Sequence, residues 1–345
     1  MMRIAIVNDM PLAVAILRRV VESVAGYRVA WVALDGDDAV RQAEADRPDV
    51  ILMDLVMPVM DGAEATRRIM AKTPCPILIV TSSVRSHHSK VYEALSAGGL
   101  DAVRTPTLGS NNALVDAEPL LARLAKFDSL RKANGPTGLS QLMPTLGELA
   151  AKGHPMLAIG ASTGGPDAVA KILAGVGVSA PGPIVVVQHI AAAFAAGFAE
   201  WLGARIGLPT RAIRTGDRLE PGRVYVAASD DHLVVTGRRT LAYTPDPTAY
   251  PYRPSVDVFF QSARLNWPDG GVAVLLTGMG SDGASGLLGL RKAGWHTIAQ
   301  DQATSVVYGM PKAAAELGAA VDVLSLQAIP AAIAAKWKVK ASGTA

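Results

Sequence analysis

Short apolar runs that stop at a polar residue and hand over to a helical stripe recur along this chain. That recurrence narrows the possible folds more than any other feature. Arg3 to Asp9 reads as a buried strand. Beyond Pro11, Leu12, Ile16, Val20 and Val24 lie four apart with Leu17 and Val21 beside them, an amphipathic helix that Gly26 stops. Further strands are expected at Tyr27 to Ala33, Asp49 to Asp54, Pro76 to Thr81 and Leu100 to Thr105. Helices alternate with them at Asp37 to Ala45, Gly62 to Ala71, Ser86 to Ala97 and from Asn112 to near Ala133. Strands separated by helices pair in parallel and are covered on both faces, which makes a doubly wound sheet. A second alternation begins at Met156. Its strands are Met156 to Gly160, Ile184 to His189, Val224 to Ala227, Val272 to Thr277, Trp295 to Gln300 and Val321 to Leu324. Its helices are Asp167 to Ala174, Ala191 to Ile206, Ser255 to Asn266, Ala284 to Ala293 and Pro311 to Leu317, and His232 to Thr244 reads as a hairpin turned at Gly237. Hydrophobic residues are 50% and aromatics only 5%, so the apolar content is the Ala, Val, Leu and Ile that buried parallel strands use.

The expected fold class is therefore α/β, with two doubly wound parallel-sheet domains at 1–126 and 154–340. A linker is expected at 127–153, where Gly135, Pro136, Gly138, Pro144 and Gly147 interrupt the pattern around a short helical stretch near Leu146 to Lys152. The tail from Ala341 is expected to fray. Formal net charge is only +3, from 33 basic and 30 acidic residues without a dense basic run, so nucleic acid is not an expected partner. Cys75 is the one cysteine, which excludes an internal disulfide framework. The longest wholly apolar run, Ile190 to Ala199, is far below the ~18 residues of a membrane span, so direct membrane insertion is not expected. The opening residues are too short for a signal peptide, and the expected location is cytoplasmic.

In the second domain, Gly160-Ala161-Ser162-Thr163-Gly164-Gly165 sits between a strand and a helix at the spacing G-x-S-x-G. Such a turn serves either to present a serine at the carboxyl edge of a sheet or to cradle a phosphate. Gln188-His189 ends the next strand. Thr277-Gly278-Met279-Gly280-Ser281-Asp282-Gly283 follows a strongly apolar strand, so Asp282 lies at the same edge. An Asp-Gly turn is common without function, and so is a lone histidine. The coincidence of Ser162, His189 and Asp282 at one edge favours a triad, in which His189 takes the proton of Ser162 and Asp282 holds the tautomer. The Met279 N–H is an expected oxyanion donor. The order Ser, His, Asp differs from that of the α/β-hydrolases. His87, His88, His154, His232 and His296 read as without function, and no zinc site is expected.

In the first domain Asp9, Asp54 and Thr81 end three strands at one edge. Paired carboxylates either simply end strands at polar loops or share a hard divalent cation, and a carboxylate can also take up a phosphoryl group.

These residues carry a resemblance. The first domain resembles a response-regulator receiver, through Ile6-Val7-Asn8-Asp9, Leu52 to Gly62 and Ile79-Val80-Thr81-Ser82. The second resembles the catalytic domain of CheB-type protein-glutamate methylesterases, through Ile159 to Pro166, Gln188-His189, Arg253 to Asp257, Leu276 to Gly283, and Gln300 through Val307 to Pro311. The resemblance implies a flavodoxin-like receiver and a Rossmann-like esterase domain. It implies a triad of Ser162, His189 and Asp282, with Met279 and Thr163 supporting the oxyanion. It also implies phosphorylation at Asp54, Mg²⁺ held by Asp9, Asp54 and Val56, and a receiver switch at Thr81. In that family the enzyme hydrolyses glutamate γ-methyl esters on methyl-accepting chemoreceptors, and often deamidates receptor glutamines. A CheA-type histidine kinase phosphorylates the receiver and relieves blockage of the active site. Two positions depart from the pattern: Asn8 stands in place of an acid, and Thr105 in place of the lysine after strand five, with the adjacent Arg104 expected to point away. Together they resemble the Wsp-type branch, whose members act on surface-sensing receptor complexes. Two other readings stay open at this point, a nucleotide-binding regulator and a catalytically inactive receptor-binding scaffold.

Overall fold

The computed structural model describes residues 1–82, 88–109, 113–132, 154–177, 180–237 and 239–337. The chain divides into two compact units, Met1–Gly138 and Leu139–Ala345.

In the first unit β1 (Met2–Val7), α1 (Pro11–Glu22), β2 (Tyr27–Ala33), α2 (Gly36–Ala45), β3 (Val50–Met53), α3 (Gly62–Lys72), β4 (Ile77–Thr81), α4 (His88–Ser96) and β5 (Asp101–Arg104) alternate as the apolar pattern implies. A short antiparallel pair, β6 (Thr107–Leu108) and β7 (Leu114–Val115), and α5 (Glu118–Lys132) complete it. The five long strands are all parallel, in the order β2-β1-β3-β4-β5. That is the flavodoxin-like order, and its switch point lies between β1 and β3. Pro11 opens α1 where its missing N–H is no loss, and Ile16, Leu17, Val20 and Val21 turn inward. Leu17, Val20 and Val21 pack with Ile4, Leu52 and Val80 of the sheet.

The second unit begins with β8 (Met156–Ala161), α6 (Gly165–Val176), β9 (Ile184–Gln188) and α7 (Ala192–Ile206). It continues with β10 (Thr210–Ala212), β11 (Val224–Val226), the hairpin β12 (His232–Val235) and β13 (Leu241–Thr244), α8 (Val256–Asn266) and β14 (Gly271–Leu275). It ends with α9 (Ala284–Lys292), β15 (His296–Gln300), α10 (Met310–Glu316), β16 (Asp322–Leu324) and α11 (Ile329–Lys336). Seven parallel strands run β10-β11-β9-β8-β14-β15-β16. The chain leaves β8 in one direction and returns to β14 on its other side, so the switch point is between those two strands. Every residue of β8 and β9 is buried, as strands covered on both faces must be. Phe259 and Phe260 of α8 pack with Val187, Leu275 and Leu287 into the core below that switch point.

Several expectations are corrected. The last helix of the first unit starts at Glu118, not Asn112, because Pro119 fits only the first turn of a helix. That helix runs on through 127–132, a stretch the composition assigns to the linker. β10 and α11 carry too little periodicity to be expected. The helical stretch near Leu146 to Lys152, the start of the helix at Ser86 and the tail from Ala341 lie outside the described residues.

Candidate active site

In the second unit three strand tips meet around the switch point. Ser162 follows β8, and its N–H donates to Thr277 O on the loop after β14 (3.0 Å). His189 follows β9, and its N–H donates to Ala161 O (3.0 Å). Gln188 ties the first two tips together, its Nε2 donating to Ser162 O (2.8 Å) and His189 O (3.2 Å). The turn after Ser162 needs glycine at Gly164, whose φ is +76°. The loop after β14 needs it at Gly278, where a Cβ would stand 2.7 Å from Ser162 Cβ.

Ser162, His189 and Asp282 are 5%, 8% and 7% exposed. His189 Nε2 meets Asp282 Oδ2 at 2.8 Å. A carboxylate only accepts, so Nε2 carries the proton, and Nδ1 of the neutral ring is left with its lone pair. Nδ1 is buried and has no hydrogen-bond partner among the described residues. No hydrogen bond joins it to Ser162 Oγ in this state, so the serine–histidine contact read from the sequence is not formed here.

Asp282 is gripped from the start of α8. Ser255 Oγ donates to Oδ1 (2.7 Å), Val256 N–H to Oδ2 (2.7 Å) and Asp257 N–H to Oδ1 (3.1 Å). Burial opposes its charge, but the His189 hydrogen bond, with those of the Ser255 hydroxyl and the Val256 N–H, holds the carboxyl below its usual range. The neighbouring Asp257 goes the other way. Burial and the charge of Asp282 push it up to about 7, against the N–H groups of Gly286, Gly283 and Ser285.

His232, read from the sequence as without function, is fully buried and belongs to this scaffold. Its Nδ1 accepts from Ser255 N–H (3.1 Å) and its Nε2 meets Pro247 O (3.1 Å), which fixes the Nε2–H tautomer. Burial lowers its pKa, the direction that suits a ring accepting a hydrogen bond at Nδ1. Tyr252 lies flat on His189, with ring centroids 4.3 Å apart and planes 4° from parallel. The motif Arg253 to Asp257, which includes Ser255, is visible in the sequence, yet no sequence signal ties Tyr252 or His232 to the site. Met279 lies on the loop after β14, whose Gly278 O accepts from Gly309 N–H (3.1 Å) and Met310 N–H (2.9 Å). Thr163 is 2% exposed, and its Oγ1 has no partner among the described residues.

In the first unit Asn8 and Asp9 follow β1, Asp54 follows β3, and Thr81 ends β4, all at one edge. Asn8 Nδ2 donates to Asp54 Oδ2 (2.9 Å), while Asn8 Oδ1 accepts from Met10 N–H (2.9 Å). The second bond orients the amide, so Asn8 offers Asp54 a donor and not a further carboxylate. Leu55 N–H donates to Asp54 Oδ1 (2.7 Å). Asp9 and Val56 are exposed, Thr81 and Thr105 are buried, and Arg104 faces solvent. Among the described residues no group of three or more His, Cys, Asp or Glu side chains is placed to hold a metal. No helix among them is long and apolar enough to cross a membrane.

The chain thus joins a flavodoxin-like sheet edged by carboxylates to a Rossmann-like sheet whose switch point carries a serine, a histidine and a buried carboxylate. Residues 4–115 match the response regulator receiver domain, and residues 157–333 match CheB methylesterase. Protein-glutamate methylesterase/protein-glutamine glutaminase 1 of Burkholderia lata is 52% identical over 339 residues, covering 98% of this chain and 100% of the relative. The protein-glutamate methylesterase/protein-glutamine glutaminase of Mesorhizobium japonicum is 52% identical over 330 residues, covering 95% and 96%. The CheB methylesterase catalytic domain of Thermotoga maritima, a crystal structure, is 34% identical, covers 53% of this chain and 98% of that one, and superposes with a TM-score of 0.51. The chain belongs to the CheB methylesterase family, with a response-regulator receiver domain at its N-terminal side.

Proposed function

We propose that the chain is a phosphorylation-regulated serine esterase that hydrolyses glutamate γ-methyl esters on methyl-accepting chemoreceptor-type proteins, with Ser162, His189 and Asp282 as its triad. The observation that carries this reading is the buried Asp282 carboxylate. It accepts three hydrogen bonds besides that of His189 Nε2, which leaves His189 Nδ1 as a base on the tip beside Ser162. A functionless Asp-Gly turn has no need to bury its charge under four donors. The nucleotide-binding alternative fits less well, because the N–H groups of Ser162 and Gly165 are taken up by Thr277 O and Ser162 O and do not face a phosphate. The scaffold alternative leaves the fully supported His189–Asp282 pair without a purpose.

Ser162 Oγ attacks the ester carbonyl as His189 Nδ1 takes its proton, and Asp282 stabilises the imidazolium. The oxyanion is met by the Met279 N–H, with the Thr163 hydroxyl in support. Collapse breaks the acyl C–O bond, and methanol leaves with the proton from His189. Water then attacks the acyl-serine, giving one proton to Nδ1, and Ser162 takes that proton back as the glutamyl acid leaves and releases its remaining proton to solvent as the carboxylate forms. The same steps deamidate a receptor glutamine, with ammonia as leaving group.

In the receiver, Asp54 accepts the phosphoryl group from a CheA-type histidine kinase, and Thr81 is the switch. Asp9, Asp54 and Val56 would hold Mg²⁺. Their all-oxygen donor set at an exposed edge fits an ion that keeps several waters. When bound, the ion offsets charge on the phosphoryl oxygens. A cytoplasmic location follows from these partners.

Methanol release from methyl-esterified receptor preparations tests the reading. A phosphodonor is expected to raise the rate, Asp54→Asn to abolish that rise, and a fluorophosphonate to label Ser162 alone. Unlabelled Ser162 in an active preparation overturns it.

A further inference from the structure

Among buried polar groups the mechanism does not use, the segment between the β12–β13 hairpin and α8 stands out. Its Ser255 grips the acid of the His189–Asp282 pair, and three residues earlier its Tyr252 covers the ring of the base. We propose that Tyr252 is a positioning residue for His189, and that its stack on the imidazole tightens as that ring takes up a proton. This rests on the triad reading above.

The single bond from Nε2 to Asp282 holds one atom of the imidazole edge and leaves the tilt of the ring open. Nδ1, the atom that must face Ser162, has no hydrogen bond to hold it. The flat contact with Tyr252 supplies the missing constraint on tilt, since turning the His189 ring out of its plane breaks a parallel stack with 4° between planes. Tyr252 is itself wedged. It is 8% exposed, and its hydroxyl stands 3.3 Å from where a Cβ on Gly280 would lie. The same ring therefore abuts the loop that carries Met279. The contact also distinguishes the two states of the reaction. A neutral imidazole on a phenol ring gains dispersion alone, whereas an imidazolium 4.3 Å from the centroid adds cation–π attraction. An interaction that grows with proton transfer lowers the barrier and leaves ground-state binding unchanged.

Tyr252→Phe keeps the π face, and Tyr252→Leu removes it. Both are assayed in the full chain by methanol release, with the concentration of active enzyme set by stoichiometric fluorophosphonate labelling. The Phe variant is expected to stay within about twofold of wild type in kcat. The Leu variant is expected to lose about threefold to thirtyfold in kcat, the rate span of one cation–π contact, with KM nearly unchanged. Wild-type kcat in the Leu variant overturns the proposal. So does a Phe variant as slow as Leu, or a change confined to KM, which would put Tyr252 against substrate. If the Leu variant does not fold, Tyr252→Met, whose unbranched flexible chain fills irregular gaps without a π face, takes its place under the same criteria. Ser162→Ala runs in parallel. Activity retained there overturns the triad reading itself. An inactive Ala variant beside a fully active Leu variant overturns only the role of Tyr252.

Discussion

Both sheets of this chain carry reactive side chains at a switch point, yet the two edges are built in opposite ways. At the receiver edge Asp9 is exposed and Asp54 half-buried, and Asp54 accepts from the Asn8 amide and the Leu55 N–H. At the esterase edge Ser162, His189 and Asp282 are all buried, and Asp282 alone accepts four hydrogen bonds. The chemistry accounts for the difference. On the function proposed above, a phosphoryl group and a hydrated cation enter and leave at the receiver edge, where Asp9 is exposed to water. Proton transfer in the esterase depends on electrostatics that water would screen, so its charges are enclosed and oriented beforehand.

The largest effect that can break this comparison is at the enclosed edge. Ser162→Ala is expected to lower kcat about a thousandfold or more with the thermal midpoint unchanged, because the turn is held by backbone bonds and glycine. Residual activity near wild type on a methylated receptor would show that the edge is not the catalytic one.

Ser255→Ala comes next. It removes a charge-assisted bond to Asp282 and the N-cap bond to Val258 N–H together. The expected results are a fall in kcat of about tenfold or more, and about 1 kcal/mol less stability by denaturant titration. Ser255→Thr keeps the hydroxyl and should restore most of both. Equal rates for the Ala and Thr variants would detach α8 from the triad.

At the open edge, Asn8→Asp adds a unit charge beside the proposed Mg²⁺. One charge near a divalent ion gains about 2 kcal/mol even at water-like dielectric, so affinity should rise by roughly tenfold or more. Calorimetric titration of Mg²⁺ reads this directly. Thr105→Lys should raise the ratio of rates with and without phosphodonor. No change in either quantity would make the two departures neutral.

The smallest effect sharpens the contrast through pH. Asp257 has its pKa raised to about 7 in the folded chain by burial and by Asp282. A carboxyl held above its unfolded value binds a proton when folded that the unfolded chain has already released. Its stabilising contribution is complete below about pH 4 and is lost as pH rises through about 7. Thermal midpoints should therefore fall between pH 5 and 8 more in wild type than in Asp257→Asn, within about a few degrees. Parallel slopes in the two proteins would place the proton elsewhere.

Much of this molecule was legible from residue order alone. The alternation of apolar runs and helical stripes marks both sheets, because periodicity is a local property that a strand or helix carries in its own residues. It also places Ser162, His189, Asp282, Asp9 and Asp54 after strands, and in parallel sheets all strands end at one edge. What the tertiary structure alone decided depends on contacts between distant parts of the chain. The strand order sets β8 beside β14, which brings His189 to Asp282 across 93 residues. That pairing decides which imidazole nitrogen faces the acid, and no local pattern encodes it. His232 lies in a hairpin and Tyr252 in a turn that look ordinary in sequence, beside the recognisable motif that holds Ser255. They become parts of the site only because α8 packs with its N-terminus against the loop after β14. Periodicity says which face of an element is buried, and packing alone says what that face meets.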